Sequence, residues 1–456
     1  MIKSDMLSGK LWNKILLFAL PVAATAILEQ LFNASDVAIV GNFTGELKTV
    51  AVAAVGANGP IINLIINFFV GFALGANVVI SKCIGEGNED GVRRAVHTSV
   101  VLSVMFGVVI AAIGEIVAPY LLQSLNVPED VLPYSTKYLR IYLLGMPVIL
   151  LYNFEAAIFR SIGQTKLPLI ALAVSGAINV LLNLFFVIVL KMDVDGVAVA
   201  TVVSNALSSI ILFIVLLKTN KPIKVRIKEL RIYKDSFKGI IRIGFPSGLQ
   251  GAVFSFSNIV IQSAINSLGA TVMAASGAAY NLEIIAYYVI NSFSQACTTF
   301  TGQNYGARQF DRCKKILGIC LLEDLIATAI SAGLILLAGK PLLAIFNGDP
   351  EVISLGYTRL VVIFSAYIFS MLYEIAASYL RGYGISLVPA ILTIIGVCGI
   401  RIVWIYTVFK VYSTFISIMI VYPVSLGTTA IFLLVALLIY RPSKKLKEKT
   451  FAAENL

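Results

Sequence analysis

Glu29, Asn33 and Asp36 stand at i, i+4 and i+7 within the stretch LEQLFNASDVAIVG, residues 28–41. On a helix that spacing puts two carboxyls and an amide on one face. The surrounding segment is apolar, and a charged side chain at the centre of a lipid-embedded helix costs about 2.5–3.5 kcal/mol. An acid in such a place is held by a partner, a proton or a cavity. Two other apolar segments carry matching groups. Asn179 and Asn183 lie four apart in SGAINVLLNLFFV, and Thr201 lies in DVDGVAVATVVSN. Together Asp36, Asn179, Asn183 and Thr201 offer carboxylate, amide and hydroxyl oxygens. That set suits an ion-coupling site: Na+ near Asp36, or a carboxyl that takes up a proton, since desolvation favours the neutral acid. Interhelical hydrogen bonding is the other use open to the two asparagines.

The second half of the chain carries a different set. Gln250, Phe254, Asn258 and Gln262 follow one another at i+4 steps. The stretch YNLEIIAYYVINSFSQ puts Asn281, Tyr288, Asn291 and Gln295 on one stripe, with Glu283 and Tyr287 on the next. A lone acid among tyrosines suits an organic cation through charge pairing and the ring faces. Glu283, Tyr287, Tyr288, Gln250, Asn258 and Asn291 are therefore the candidate substrate contacts. Glu155 and Glu374, near Arg160 and Arg381, are candidates for gate or salt-bridge residues, and Arg401 is a further intramembrane charge.

Motifs of soluble chemistry are missing. The sequence contains no HExxH, GxSxG or phosphate-binding glycine loop, which argues against an enzyme and against ATP as energy source. The five cysteines show no CxxC spacing, so free thiols are expected, with no bound cofactor. A proton or Na+ moving through 100 mV supplies ~2.3 kcal/mol. Fully coupled, that sustains roughly a 50-fold gradient of a transported compound.

The elements that must position these residues are membrane helices. The 456 residues are 59% hydrophobic and only 13% charged, with mean hydropathy +0.91. Apolar runs long enough to span recur about twelve times, near 13–40, 50–80, 95–118, 133–158, 167–190, 194–217, 240–267, 273–300, 315–338, 354–380, 387–409 and 413–440. No period-2 alternation recurs, so the expected class is an all-α integral membrane protein, not a barrel. The basic N-terminus leads into an apolar run too long for a cleaved signal, so that run should remain as the first helix.

Of the 35 Lys and Arg, 27 fall in segments that share one side if the N-terminus is cytoplasmic. That asymmetry predicts cytoplasmic N- and C-termini in the inner (plasma) membrane. The net charge of +11 then reflects topology and contact with lipid headgroups, not a nucleic-acid partner. The basic stretch KTNKPIKVRIKELRIYKDSFKG, 218–239, divides an N-terminal half, 1–217, from a C-terminal half, 240–456. The halves repeat. At an offset of 221, Gly85, Asp90 and Arg93-Arg94 meet Gly306, Asp311 and Lys314-Lys315; Leu125-Asn126 meets Phe346-Asn347; Arg160, Gly163 and Pro168 meet Arg381, Gly384 and Pro389. Pro21 and Pro246 correspond at a slightly larger offset. Two parallel repeats imply two pseudo-symmetric six-helix lobes around a central cavity, as in secondary transporters.

Pro21 with DVAIVG (36–41), QNYGA with Arg312 after it, FRSIGQTKLP paired with LRGYGISLVP, NVLLNLFFV before DGVAVAT, RIVWIYTVF and the later Tyr422-Pro423 form an ordered set. That set resembles the MATE (multidrug and toxic compound extrusion) transporters of the multidrug/oligosaccharidyl-lipid/polysaccharide superfamily, over about residues 10–440. The resemblance implies twelve helices in two lobes forming a V-shaped cavity, and antiport of organic cations outward against H+ or Na+ by alternating access, with the protein monomeric. It also implies an N-lobe ion cluster at Asp36, Asn179 and Thr201. Where one branch of the family has a second Asp, this chain has Asn183. Another branch has an acid on the seventh helix, and none stands between Arg242 and Leu268 here. A flippase for a lipid-linked oligosaccharide or other amphipathic lipid is the alternative within the superfamily, and a membrane-embedded enzyme or receptor the distant one.

Overall fold

The structure, a computed structural model, describes residues 5–125 and 127–454. Lys3 and Asn126, used above for the charge asymmetry and the repeat, lie outside them, as do the first four and last two residues. Twelve helical columns follow in chain order. They are α1 (Leu11–Phe43), α2 (Lys48–Gly85), α3 (Glu89–Ser124), α4 (Leu132–Leu144 with Met146–Ser161), α5 (Lys166–Val189) and α6 (Val194–Lys218), then α7 (Lys234–Asn266), α8 (Ala270–Gly306), α9 (Phe310–Leu337), α10 (Pro350–Ser365 with Tyr367–Gly382), α11 (Leu387–Phe409) and α12 (Phe415–Tyr440). Eight of these are single helices apolar enough to cross a membrane, and α4 and α10 are bent pairs that pass together. The columns α7 and α8 have the length but fall short in apolar content, because they carry the amide, serine and threonine stripes seen in the sequence.

The pseudo-symmetry predicted from the repeat is built into the backbone. Column α4 bends by 50° at Gly145 and α10 by 45° at Ala366, one repeat apart. Gly163 and Gly384 end the two bent columns in matching left-handed conformations, φ +80° and +79°. Widened π-helical stretches close α5 at Phe185–Val189 and α11 at Ile405–Phe409. Repeat mates also touch across the axis. A Cβ on Gly306 would lie 3.1 Å from the Gly85 Cα, and one on Gly302 would lie 3.2 Å from the Ser81 Cβ.

Three features differ from the sequence reading. The divider 218–239 is shorter than expected, because Lys234–Gly239 already belong to α7 as a polar first turn and a half. The rest of the divider is folded onto the first half. Ile223 and Val225 are buried in a core with α2, α3 and α6, and the Arg226 amide donates to His97 Nε2 at 2.9 Å. That leaves His97 Nδ1 to donate to the Arg93 carbonyl at 2.7 Å, so the single histidine is a neutral clasp. Arg226, hydrogen-bonded to Glu229, and the nearby Arg93 hold the Glu229 carboxyl below its usual range. The basic tail is also helical: α13 (Pro442–Glu454) packs on α9, with Lys447 paired to Asp311 at 2.7 Å. A short helix, Gly339–Phe346, leads into α10.

The halves meet on the side of the divider, called here the linker side. The antiparallel columns α2 and α7 cross at Gly71, Gly75, Gly244 and Gly248, where the backbones touch. By the same symmetry α8 packs on α1, whose first half joins a core of α8, α9 and α10 residues including Phe18, Val22, Phe300 and Cys320. Hydrogen bonds between the halves, among the described residues, reach no further from the linker side than Gln30–Tyr288 and Asn67–Ser255. Beyond them Gly56, Gly59 and Gly277 face open space. The halves are sealed on the linker side and part on the other.

Candidate functional site

The sequence-predicted ion cluster assembles inside the first half. Asp36 comes from the second half of α1, Asn179 and Asn183 from α5, and Thr201 from α6. The i, i+4 spacing stacks the two asparagines toward α1. Asn183 Nδ2 donates to Asp36 Oδ1 at 2.6 Å and to Asn179 Oδ1 at 3.1 Å. Thr201 Oγ1 lies 3.1 Å from Asp36 Oδ2 and 2.9 Å from the Val197 carbonyl. All four are buried, Asp36 to 5% exposure. The Asn183 Oδ1 is buried with no partner. The stacked rings of Tyr138 and Tyr142, 6.2 Å apart on α4, lie within electrostatic reach of Asp36. The sequence reading missed both, since the first segment of α4, Leu132–Leu144, carries no acid or amide to draw attention to it.

The opening stripe does not share one environment. Asp36 points into the cluster, whereas Glu29 and Asn33 are exposed. Glu29 nevertheless lies in the cleft between the halves. Arg160 and Tyr152 of α4 and Tyr288 of α8 all feel its charge, and its neighbour Gln30 accepts from Tyr288 at 3.4 Å.

In the second half the expected lone acid is not alone. Arg359 of α10 donates to Glu283 Oε2 through Nη2 at 2.8 Å and Nε at 3.1 Å, and to Ser276 at 2.6 Å. Arg359 falls inside the tenth apolar run, 354–380, but was not singled out in the sequence; it stands on the first segment of α10. Its guanidinium lies 5.5 Å from the Tyr422 ring centre, so the cation facing an aromatic is the protein's own. Tyr287 packs beside the same core and Asn291 is occupied as acceptor of Gln295 at 2.7 Å. Gln250 and Asn258 also hold arginines: Arg381 Nη2 donates to Gln250 at 3.0 Å, and Arg401 Nη1 to Asn258 at 3.2 Å. Arg401 further lies 4.6 Å from the Tyr422 ring centre and 5.5 Å from that of Phe254.

Of the two uses expected for Glu155 and Glu374, gate or salt bridge, the pairs with Arg160 and Arg381 do not form: five residues turn the first pair to different faces, and seven set the second two turns, about 10 Å, apart along the helix. Glu155 is fully buried and accepts from Ser209 at 2.9 Å instead. Glu374 is buried between α8 and α10. One further pair was missed altogether: Glu323 and Asp324 on α9 are buried. The signal that marked Asp36, an acid inside an apolar run, was present there too.

With this geometry in view, comparison with known proteins is decisive. The MatE family model matches residues 21–185 and, a second time, 246–407. The chain belongs to the MatE family. Among curated relatives of this MatE protein, the "Probable multidrug resistance protein YoeA" of Bacillus subtilis is 27% identical over 398 residues, covering 86% of this chain and 85% of the relative. The "Probable multidrug resistance protein NorM" of Thermotoga maritima is 25% identical, covering 86% and 84%. A solved structure described as the outward-facing conformation of a multidrug resistance MATE family transporter of the MOP superfamily superposes with a TM-score of 0.88. It is 21% identical and covers 97% of this chain and 98% of that one. The fold is therefore that of MatE transporters, with twelve membrane columns in two six-helix lobes. This MatE protein is a multi-pass membrane transporter and not an enzyme, and the two curated relatives above are named for multidrug resistance.

Proposed function

We propose that this MatE protein exports amphipathic organic compounds across the plasma membrane by alternating access, driven by an ion that binds Asp36. The observation that carries this reading is the hydrogen-bond arrangement around that carboxyl. The Thr201 hydroxyl has one proton and two acceptors in reach, Asp36 Oδ2 and the Val197 carbonyl. When Asp36 is ionised, Thr201 donates to it. When Asp36 is protonated, it donates to Thr201, whose own proton turns to Val197. The site thus accepts both protonation states without rearranging heavy atoms. The Asn183 amide nitrogen fills the space between the Asp36 and Asn179 oxygens where Na+ would sit. This favours H+ over Na+ as coupling ion. The linker side is assigned as cytoplasmic from its basic residues, which puts both termini there, and the boundaries 1–217 and 240–456 are assigned as the two moving units.

A preference for organic cations rests on Glu29, not Glu283. Glu29 faces the cleft among tyrosines, whereas Glu283 is neutralised by Arg359. The experiment is transport in proteoliposomes under imposed proton or Na+ gradients. Asp36→Asn removes the titrating group at constant shape. It should still bind a fluorescent cationic substrate and pass it downhill, yet build no gradient. Uphill transport at the wild-type rate would overturn the reading.

A second reading has its own observation. Arg381 and Arg401 are buried, are held by neutral groups, and are in no ion pair among the described residues. They favour an amphiphile with an anionic headgroup, the flippase alternative. Transport of anionic and not cationic amphiphiles in the same vesicles would select it.

A further inference from the structure

Near the middle of the 28-residue α9, Glu323 and Asp324 are 3% and 0% exposed. Both Glu323 oxygens and Asp324 Oδ2 have no hydrogen-bond partner. Asp324 Oδ1 accepts only from Thr328, at 3.1 Å. Among the described residues no cation pairs with them. The surrounding elements bring Cys297 from α8, Cys320 from α9 itself and Glu374 from α10. Basic groups of the neighbouring elements are engaged elsewhere: Arg359 of α10 with Glu283, Arg381 of α10 with Gln250, and Lys447 with Asp311.

Three orphaned carboxyl oxygens in an apolar span cannot persist as bare anions. A metal cation lacks ligands here, because among the described residues no three His, Cys, Asp or Glu side chains could hold one. A proton needs only the carboxyl itself. We propose that Glu323 and Asp324 form a second proton site of this transporter, in the C-lobe, loaded while the cleft is open and discharged on the linker side in each cycle. Loading converts a carboxylate and H+ to the neutral acid; discharge reverses it. A physical connection to the first site is present. Phe18 and Val22 of α1 pack in one core with Cys320, one helical turn from Asp324, and the same helix carries Asp36. A movement of α1 that follows the state of Asp36 changes the cover over α9.

The discharge step rests on the ion-coupled reading above; the proton site itself does not. Two measurements on the reconstituted full-length protein separate them. Infrared spectroscopy at neutral pH should show a protonated-carboxyl stretch that is lost in Glu323→Gln/Asp324→Asn and kept in Asp36→Asn. Thr328→Val, which removes only the donor to Asp324, should shift its frequency, so the test does not depend on one doubly substituted variant. Under a pH gradient of one unit with the potential clamped, the double variant should sustain a substrate gradient about tenfold smaller than wild type, as loss of one proton per cycle requires. Persistence of the full stretch in the double variant, or its disappearance from wild type on adding Na+, would overturn the proton site. An unchanged substrate gradient would overturn its discharge in the cycle. If wild type showed no ion-driven transport while the stretch followed the α9 substitutions, the coupled reading would fall and the site would stand.

Discussion

At the scale of single residues, the membrane makes every buried charge a question of partners. Arg359 and Glu283 answer it with each other: their side chains are 4% and 12% exposed, with two nitrogen contacts to one oxygen. Removing one partner of such a pair leaves the other uncompensated and costs about 3–5 kcal/mol, whereas replacing both can be nearly neutral. Glu283→Gln should therefore lower the thermal unfolding midpoint of the purified protein markedly. Glu283→Gln/Arg359→Gln should recover most of the loss. If the single substitution alone left stability and transport unchanged, Glu283 would not be a structural anchor. The same logic shows what a sequence can reveal. Asp36, Asn179, Asn183 and Thr201 were legible because periodicity fixes which face each occupies, and helical faces that carry polar groups must turn inward. The Glu283 environment was not legible. Its partner lies 76 residues on, on another column, and no local pattern links the two.

At the scale of elements, the glycines of α2 and α7 set how closely the halves approach. A Cβ on Gly71 would fall 2.1 Å from the Gly248 nitrogen, and one on Gly248 would fall 2.2 Å from the Phe68 carbonyl oxygen. These are backbone atoms, which cannot swing aside, so any side chain there must part the helices. Overpacking of this kind costs about 1–3 kcal/mol, and it falls only on the linker-sealed state. Gly71→Val should therefore shift the protein toward a state open on the linker side by about ten- to a hundredfold. A single cysteine at position 79 in a cysteine-free background would report this as faster modification by an impermeant thiol reagent from that side. Unchanged labelling would mean the crossing is not a gate. Helix existence was legible for all twelve columns from apolar length alone, and so was the repeat. The bend at Gly145 has a local signal that went unread, Pro147 in the first turn of the second segment, whereas the bend at Ala366 and the π-helical ends of α5 and α11 have no such signal in the sequence.

At the scale of the whole molecule, the repeat and the seal together dictate the motion. The divider is pinned to the first half through His97 and Thr98. On the alternating-access reading proposed above, the parts that move against each other are the two lobes, with α1 shared between them. Its first half packs in the C-lobe core and its second half carries Asp36 into the N-lobe. That reading requires the linker-side contact to break in every cycle. Ser81 and Gly302 face each other across that contact, with a Cβ on Gly302 lying 3.2 Å from that of Ser81. This is close to the Cβ separation of about 3.5–4.5 Å that a disulfide spans. Ser81→Cys/Gly302→Cys should oxidise readily in a background without the five native cysteines. The cross-linked protein should still bind substrate from the open side, because the cleft is untouched. It should not release substrate on the linker side, and reductant should restore transport. If the oxidised protein, shown to be fully cross-linked, transported at the rate of the reduced one, the lobes could not be moving as units about this seal. The cycle would then have to run through local rearrangement of helices within one lobe.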